Sequence, residues 1–270
     1  MHPSGPALKR AYADAPTGQV HYYDSGGPGV PLLLLHQSPT SAIDFELVFP
    51  LFAKAGIRVI APDAPGLGMS DAPNRETVIA DYVDAVFAVL DHAGVATVDA
   101  FGHHTGVQVA VEAAARRPER FRKLALYGVP LLSQEEKRAY WEAVVPAEKL
   151  SGLFLPEAGG RHFTEFFERL EPRYGTRMVH RMTISRLLAG PTLWYAHNAA
   201  LTHDMTPAFE ALTHPMLLIT HPSEMLHANT VAAHAIKPEA RMAVLPTDRP
   251  VAMDGAPEAL ADAVVRFLKA

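Results

Sequence analysis

The 270-residue sequence contains no cysteine, which excludes disulfide bonds, thiolate catalysis and cysteine-ligated zinc. It also lacks any apolar run long enough to span a bilayer, and its first ten residues lack the apolar core of a signal peptide. The formal net charge is −5, so there is no basic excess to attract nucleic acid or an anionic membrane. These absences predict a cytoplasmic protein that binds neither nucleic acid nor membrane.

Short apolar runs alternate with helical patterns along the chain, which is typical of a mainly parallel sheet with helices on both faces. The hydrophobic content of 49% is enough for one large core. Residues 79–90 repeat apolar side chains at helical spacing, and Pro257 opens a last helix. The apolar runs predict seven strands, at residues 19–23, 31–35, 58–61, 95–101, 123–127, 216–220 and 241–245. The predicted fold is a doubly wound, mostly parallel α/β sheet.

One interval breaks this alternation, because residues 132–209 contain no convincing strand. Aromatic residues such as Trp141 and Trp194 are frequent there, and a structureless loop of that length is improbable inside a compact domain. We therefore predict a helical cap over residues 132–209 and a core domain made of residues 1–131 and 210–270. The cap is expected over the carboxyl ends of the strands, where open α/β sheets bind ligands.

The sequence from Gly102 to Gly106 reads G-H-H-T-G, which has the spacing of the G-x-S-x-G nucleophile elbow. A predicted strand leads into it and a helical pattern leads out, as the elbow requires. The two glycines fit a sharp strand-to-helix turn in which a β-carbon would collide with neighbouring backbone. The residue at the exposed position of the nucleophile is His104.

Three other motifs accompany the elbow. H-Q-S-P at residues 36–39 is similar to an H-G-x-P oxyanion loop, D-A-P-G-L-G-M-S at residues 63–70 is similar to a D-x-x-G-x-G-x-S loop, and A-P-E at residues 256–258 precedes the last helix. In this order and spacing the sequence resembles the α/β-hydrolase superfamily over nearly its whole length. It is most similar to the haloalkane dehalogenase and epoxide hydrolase branch, whose elbows read G-H-D-x-G and whose helical cap fills the same interval.

The sequence departs from this family at the catalytic triad. His104 stands where the family has serine or aspartate, and the family's acid falls on or near Glu224, in the turn after the strand at residues 216–220. The family's histidine falls on Arg249 or Pro250, and neither can shuttle a proton near neutral pH. The ordinary triad is therefore absent.

The first interpretation makes His104 a general base that Glu224 orients. A neutral imidazole accepts a proton at physiological pH, and a carboxylate fixes its tautomer and stabilises the imidazolium that forms. The resemblance implies an oxyanion hole made by the backbone N–H groups of Ser38 and Thr105. The predicted substrate is a small, largely apolar ester or other carbonyl compound, converted by hydrolysis or by a lyase or isomerase step without a cofactor.

Further side chains are expected to contact the substrate. The glycine of the H-G-x-P motif is replaced by glutamine, whose amide is able to donate to a substrate oxygen. For the histidines and tryptophans, packing within the loops or the cap is the competing interpretation. The expected contacts are Gln37, His36, His103, Trp141, Trp194 and His221.

Three alternatives stay open at this point. In one, His104 attacks as a nucleophile, although no second base is evident for the following step. In another, the protein has lost catalysis and binds a small molecule beneath the cap. In the third, two of His104, His221 and His227 join Glu224 as metal ligands. The sequence also leaves open whether the protein is a homodimer.

Overall fold

The fold comes from a computed structural model that describes residues 8–149 and 159–270. Its strands are β1 (Lys9–Ala15), β2 (Gly18–Asp24), β3 (Leu32–Leu35), β4 (Val59–Pro62), β5 (Val98–His103), β6 (Phe121–Tyr127), β7 (Met216–Thr220) and β8 (Arg241–Val244). Its α-helices are α1 (Phe49–Lys54), α2 (Ile79–His92), α3 (Thr105–Arg116), α4 (Gln134–Lys149), α5 (Gly159–Tyr174), α6 (Thr176–Ala189), α7 (Trp194–Thr202), α8 (Thr206–Ala211), α9 (His227–Ile236), α10 (Ala252–Gly255) and α11 (Pro257–Lys269).

The eight strands form one sheet in the order β1-β2-β4-β3-β5-β6-β7-β8. β1 and β2 pair antiparallel to each other, and β2 pairs antiparallel to β4. All pairs from β4 to β8 are parallel. The carboxyl ends of the central strands β3, β5, β6 and β7 therefore meet at one edge of the sheet, which confirms the predicted mostly parallel α/β sheet.

Helices cover both faces of this sheet. One buried apolar cluster includes residues of α2 and α3, and a second includes residues of α1 and α11. The inner strands are buried on both faces, so they read as continuous apolar runs, and all four leucines of β3 are buried. Burying one such side chain contributes about 1.5–3 kcal/mol, which makes the apolar runs a strong signal for these strands.

All seven predicted strands are present, with ends that shift by up to three residues. The strand that the sequence did not predict is β1, at the edge of the sheet. Ala13 is its one buried residue, so the segment K-R-A-Y-A-D-A has no apolar run to mark it. An edge strand with one face in solvent gives a weaker sequence signal than a strand that is buried on both faces.

Between β6 and β7 the chain forms helices, and the described part of residues 132–209 contains no strand. α4 packs against α7, and α5 packs against α6. We call the segment from α4 to α7 the helical insertion. The final helix of this interval, α8, extends past the expected boundary at residue 209 and packs against α3 of the core. The division into a core domain and a cap domain stays a prediction.

Two parts of the sequence predictions lie outside the described residues: positions 150–158 of the expected cap, and positions 1–7 of the N-terminal segment. No described helix combines the length and apolarity needed to cross a membrane.

Candidate active site

His104 occupies the turn between β5 and α3 in a strained backbone conformation. Its φ is 48° and its ψ is −108°, and it is the one non-glycine residue of the described ranges with a positive φ. Such a conformation costs about 1–3 kcal/mol and persists where the surroundings fix it. The His104 N–H donates to the carbonyl of Tyr127 on the neighbouring strand at 3.1 Å, which helps to hold the turn.

The glycines on either side of this turn are required by close backbone contacts. A β-carbon at Gly102 would lie 2.5 Å from the carbonyl oxygen of Gly106. A β-carbon at Gly106 would lie 2.0 Å from the carbonyl oxygen of Leu35, the last residue of β3. These distances confirm that the G-H-H-T-G sequence forms a tight strand-to-helix turn.

Glu224 lies beside the ring of His104. Nε2 of His104 and Oε1 of Glu224 are 2.6 Å apart, and the two side chains are 16% and 1% exposed. The other carboxylate oxygen, Oε2, accepts the backbone N–H of Leu226 at 2.8 Å. Both oxygens of this buried carboxylate therefore have a donor, which fixes the position of Glu224 in the turn after β7.

This arrangement assigns different roles to the two ring nitrogens of His104. A carboxylate accepts hydrogen bonds, so Nε2 carries the proton that Glu224 binds, and Nδ1 carries the lone pair. Nδ1 makes no hydrogen bond to the described residues, and it is absent from their buried polar atoms without a partner. It is therefore open to the cavity that His104 lines.

The cavity beside His104 has a volume of about 560 Å³, which suits a small organic ligand. Four of the predicted site residues line it: Gln37, Ser38, His104 and Thr105. Residues of α4, α5, α6 and α7, all in the helical insertion, also line the cavity. Apolar side chains are frequent around the cavity and include Leu132, Met178, Met182, Leu201 and Val251.

The expected oxyanion-hole residues flank His104 at this cavity. Thr105 is the first residue of α3, and N–H groups in the first turn of a helix have no intrahelical acceptor. Ser38 follows Gln37, whose Nε2 donates to Oδ2 of Asp44 at 3.4 Å. Burial raises the pKa of Asp44, which is held in place by a further hydrogen bond from Thr40 at 2.7 Å. The assignment of Ser38 and Thr105 as oxyanion donors stays a prediction.

His36 does not line the main cavity, which corrects its expected contact with the substrate. Its Nδ1 bonds to the carbonyl oxygen of Gln37 at 2.8 Å, and its Nε2 accepts the N–H of Ala64 at 2.9 Å. Both ring nitrogens are therefore used to connect two loops. His36 has a structural role, as the competing interpretation of the sequence had it.

His103 and His221 are also removed from the cavity, and both are fully buried. The His103 ring stacks on Tyr127 with centroids 4.6 Å apart, and burial, together with the neighbouring histidines, lowers its pKa well below 6.5. Nε2 of His221 lies 2.9 Å from the hydroxyl of Tyr127, which accepts the N–H of Ala252. Both side chains are buried beside the site and do not line the cavity, so the predicted contacts of His103 and His221 with the substrate are wrong.

Neither tryptophan lines the cavity. Nε1 of Trp141 donates to Asn198 at 2.8 Å within the helical insertion. The ring of Trp194 lies 3.7 Å from Nζ of Lys149 and packs edge-on against Tyr195. Both side chains belong to the packing of the insertion, which corrects their expected role in substrate binding.

Several residues that do line the cavity were not predicted from the sequence: Gln108, Tyr140, Tyr174, Arg186 and His197. A sequence signal for Gln108 existed, because this residue lies about one helical turn after His104, which immediately precedes α3. The others lie on separate helices of the insertion, and helical spacing alone does not reveal which face meets the core.

The geometry does not support the metal alternative. His221 is bonded to Tyr127, and Nδ1 of His227 lies 3.1 Å from the hydroxyl of Thr220. Among the side chains that the structure describes, which leave out those of residues 150–163, no three histidines, aspartates or glutamates are grouped so as to hold a metal ion.

Comparison with known proteins places this fold and turn in a family. The sequence profile described as "alpha/beta hydrolase fold" matches residues 30–150. A 2-hydroxy-6-oxononadienedioate/2-hydroxy-6-oxononatrienedioate hydrolase of Burkholderia vietnamiensis is 39% identical over 207 residues, which cover 70% of this chain and 72% of that protein. The chain therefore belongs to the α/β-hydrolase superfamily, as the motifs indicated.

Other similarities cover less of the sequence or show the fold alone. A haloalkane dehalogenase of Psychrobacter cryohalolentis is 34% identical over 110 residues, which make up 40% of this chain and 36% of that protein. Over the matched region the chain thus spans little more than a third of the dehalogenase. A thermophilic esterase of Thermogutta terrifontis has the same fold, with a TM-score of 0.79, 20% identity and coverage of 97% of this chain and 98% of that one.

Proposed function

We propose that the protein is an enzyme in which His104, oriented by Glu224, acts as a general base on a small, largely apolar ester or other carbonyl compound. The observation that carries the proposal is the 2.6 Å bond between Nε2 of His104 and Glu224, with Nδ1 open to the cavity. The relatives are named as hydrolytic enzymes, which favours hydrolysis over a lyase or isomerase step.

In the proposed reaction, Nδ1 of His104 takes a proton from a water molecule while the water oxygen attacks the carbonyl carbon. Glu224 stabilises the imidazolium that results, because the carboxylate already holds the N–H of Nε2. The backbone N–H groups of Ser38 and Thr105 are proposed to stabilise the negative oxygen of the tetrahedral intermediate. Donors of this kind contribute about 3–4 kcal/mol in acyl-transfer enzymes.

A direct attack by water is preferred over a covalent intermediate on His104. In the family a histidine activates water to hydrolyse a covalent intermediate, and that position here holds Arg249 and Pro250. Pro250 and Val251 line the cavity there, and neither side chain exchanges a proton.

The test of the proposal is the His104→Ala variant, assayed on a panel of short-chain esters. Loss of a general base is expected to lower kcat/KM by at least about 100-fold. Glu224→Gln is expected to lower it less, because the amide still keeps the ring in place. Unchanged turnover in His104→Ala would reject the proposal.

His203→Ala is the matched control for this experiment. His203 also pairs with a carboxylate, at 2.7 Å from Glu112, but it does not line the cavity. Its loss is expected to leave kcat/KM within about twofold, because general acid–base catalysis requires contact with the reacting groups. Thermal unfolding of all variants separates lost catalysis from lost folding.

A second candidate function is binding of a small molecule without conversion, which the missing triad histidine favours. In that case carbonyl compounds would raise the melting temperature of the wild-type protein while no product forms. The cytoplasmic location and the homodimer stay predictions, and light scattering in solution tests the second.

A further inference from the structure

A second histidine–carboxylate pair lies at the same cavity, on the helical insertion. Nδ1 of His197, on α7, is 2.9 Å from Oε2 of Glu148, near the end of α4. The two side chains are 12% and 4% exposed. The other oxygen of Glu148 lies 3.2 Å from Nη1 of Arg186, so the carboxylate is fixed between two groups of the insertion.

The free nitrogen of His197 is open to the cavity. Nε2 has no hydrogen-bond partner in the described parts of the chain, and it does not belong to their buried polar atoms without a partner. The ring lines the cavity together with the other described ionisable residues of the insertion that face it: Glu136, Tyr140, Arg173, Tyr174 and Arg186. The ring of Tyr140 packs edge-on against the imidazole of His197, with ring centroids 6.3 Å apart.

A hydrogen bond between the core and the insertion brings His197 to the same cavity as His104. Nε2 of Gln108, on α3, donates to the carbonyl oxygen of Ala200, on α7, at 3.0 Å. Gln108 is about one helical turn from His104, and Ala200 is about one turn from His197. A sphere of the cavity's volume would be about 10 Å across, so a ligand that fills the cavity meets both rings.

We propose that His197 is a second catalytic residue, the general acid that protonates the leaving group. The proposal rests on the function proposed above, in which His104 is the base. It also narrows the substrate class: the enzyme is built for esters of poorly acidic alcohols, whose alkoxides do not depart without a proton.

The proposed step balances as follows. Water loses a proton to Nδ1 of His104, its oxygen forms a bond to the carbonyl carbon, and the tetrahedral intermediate forms. The carbon–oxygen bond to the alcohol then breaks as the protonated Nε2 of His197 gives its proton to the leaving oxygen. The products are the acid and the alcohol. His104 returns its proton to solvent and His197 takes one up, which restores both rings.

The test compares His197→Gln on two kinds of ester of the same short acids: alkyl esters and 4-nitrophenyl esters. A nitrophenolate departs without a proton, so it does not need the acid. We expect kcat/KM to fall about 100-fold for the alkyl ester and less than about threefold for the nitrophenyl ester. The pH profile of the alkyl ester should also lose its alkaline decline, since no group must then stay protonated.

His203→Gln is the control, because His203 follows α7 and pairs with Glu112 away from the cavity. It should leave both esters and the pH profile unchanged. Equal losses on the two esters in His197→Gln would show a structural role and overturn the proposal, as would no loss on either.

The two proposals fail in different ways. If His104→Ala loses activity and His197→Gln does not, the general base stands and the general acid is wrong. If His104→Ala keeps its activity, both are wrong. If the wild-type protein hydrolyses no ester, the general acid is wrong, and the general base is then tested on other carbonyl compounds. Nitrogen-15 NMR gives a readout besides turnover: His197 should hold its proton on Nδ1 in the neutral form. A neutral form protonated on Nε2 would overturn the assignment.

Discussion

Gly128 has no side chain, yet it determines whether the His104–Glu224 pair can form. It follows β6 with a φ of +65° and is buried against the pair. A β-carbon there would lie 2.4 Å from Cδ2 and 2.6 Å from Nε2 of His104, and 3.2 Å from the carboxyl carbon of Glu224. The Gly128→Ala variant therefore perturbs the proposed catalytic pair without removing either member.

The expected loss in the free energy of unfolding of Gly128→Ala has two parts, and the Gly94→Ala variant separates them. Gly94 has the same φ of +65°, but a β-carbon there would meet nothing within 4 Å. An alanine in this conformation costs about 1–2 kcal/mol, offset by about 0.4–1 kcal/mol from the less flexible unfolded chain. Gly128→Ala adds the collision, which costs about 1–3 kcal/mol in a packed site. That second amount is the expected difference in the free energy of unfolding between the two variants.

Urea unfolding followed by tryptophan fluorescence measures this difference, and ester turnover measures its effect on the site. A displacement of the ring by about 1 Å is expected to lower kcat/KM by about 100-fold in Gly128→Ala. Gly94→Ala should keep full activity. If the two variants are equally stable and equally active, Gly128 does not pack against the pair as described.

Two further predictions concern the histidines of the elbow. Folding lowers the pKa of His103 from its ordinary 6.5. As the pH falls below about 6.5, the histidine is therefore protonated in the unfolded chain but not in the folded protein. The free energy of unfolding then decreases by up to about 1.4 kcal/mol per pH unit. His103→Phe keeps the stacked ring and should flatten this loss, measured by urea unfolding at about pH 7.5 and about pH 5.5; an unchanged slope would contradict the assignment. At His104, the glycine variant should be more stable than the alanine variant by about 1 kcal/mol, because both leave Glu224 unpaired but only glycine relieves the positive φ. Equal unfolding midpoints for these two would show that the turn is not strained.

The sequence predicted the parts of this molecule that depend on local chemistry. The strands β3 to β7 are buried on both faces, so apolar runs mark them, and the glycines of the elbow mark the turn at His104. The partner Glu224 was found because motif spacing fixes it to the turn after β7. β1 was missed because one face of an edge strand lies in solvent.

The walls of the site were predicted poorly, for a different reason. Trp141 and Trp194 were chosen for their size, but their rings pack within the insertion. His197 and Gln108 come to the same cavity through the hydrogen bond from Gln108 of α3 to the Ala200 carbonyl of α7, a contact between residues 92 positions apart. Helical periodicity identifies a face that is buried, and it does not tell whether that face meets a cavity or a neighbouring helix.

His104 belongs to the core and His197 to the helical insertion. The proposed mechanism therefore depends on how the insertion packs against the core. Arg181, on α6, is 4% exposed, donates to Glu46 of the core at 2.7 Å and also pairs with Asp254 of α10. A buried charge of this kind is costly unless its partners stay in place. These ion pairs connect the insertion to the core. We therefore expect the position of the insertion to determine whether Nδ1 of His104 and Nε2 of His197 reach the same bound molecule.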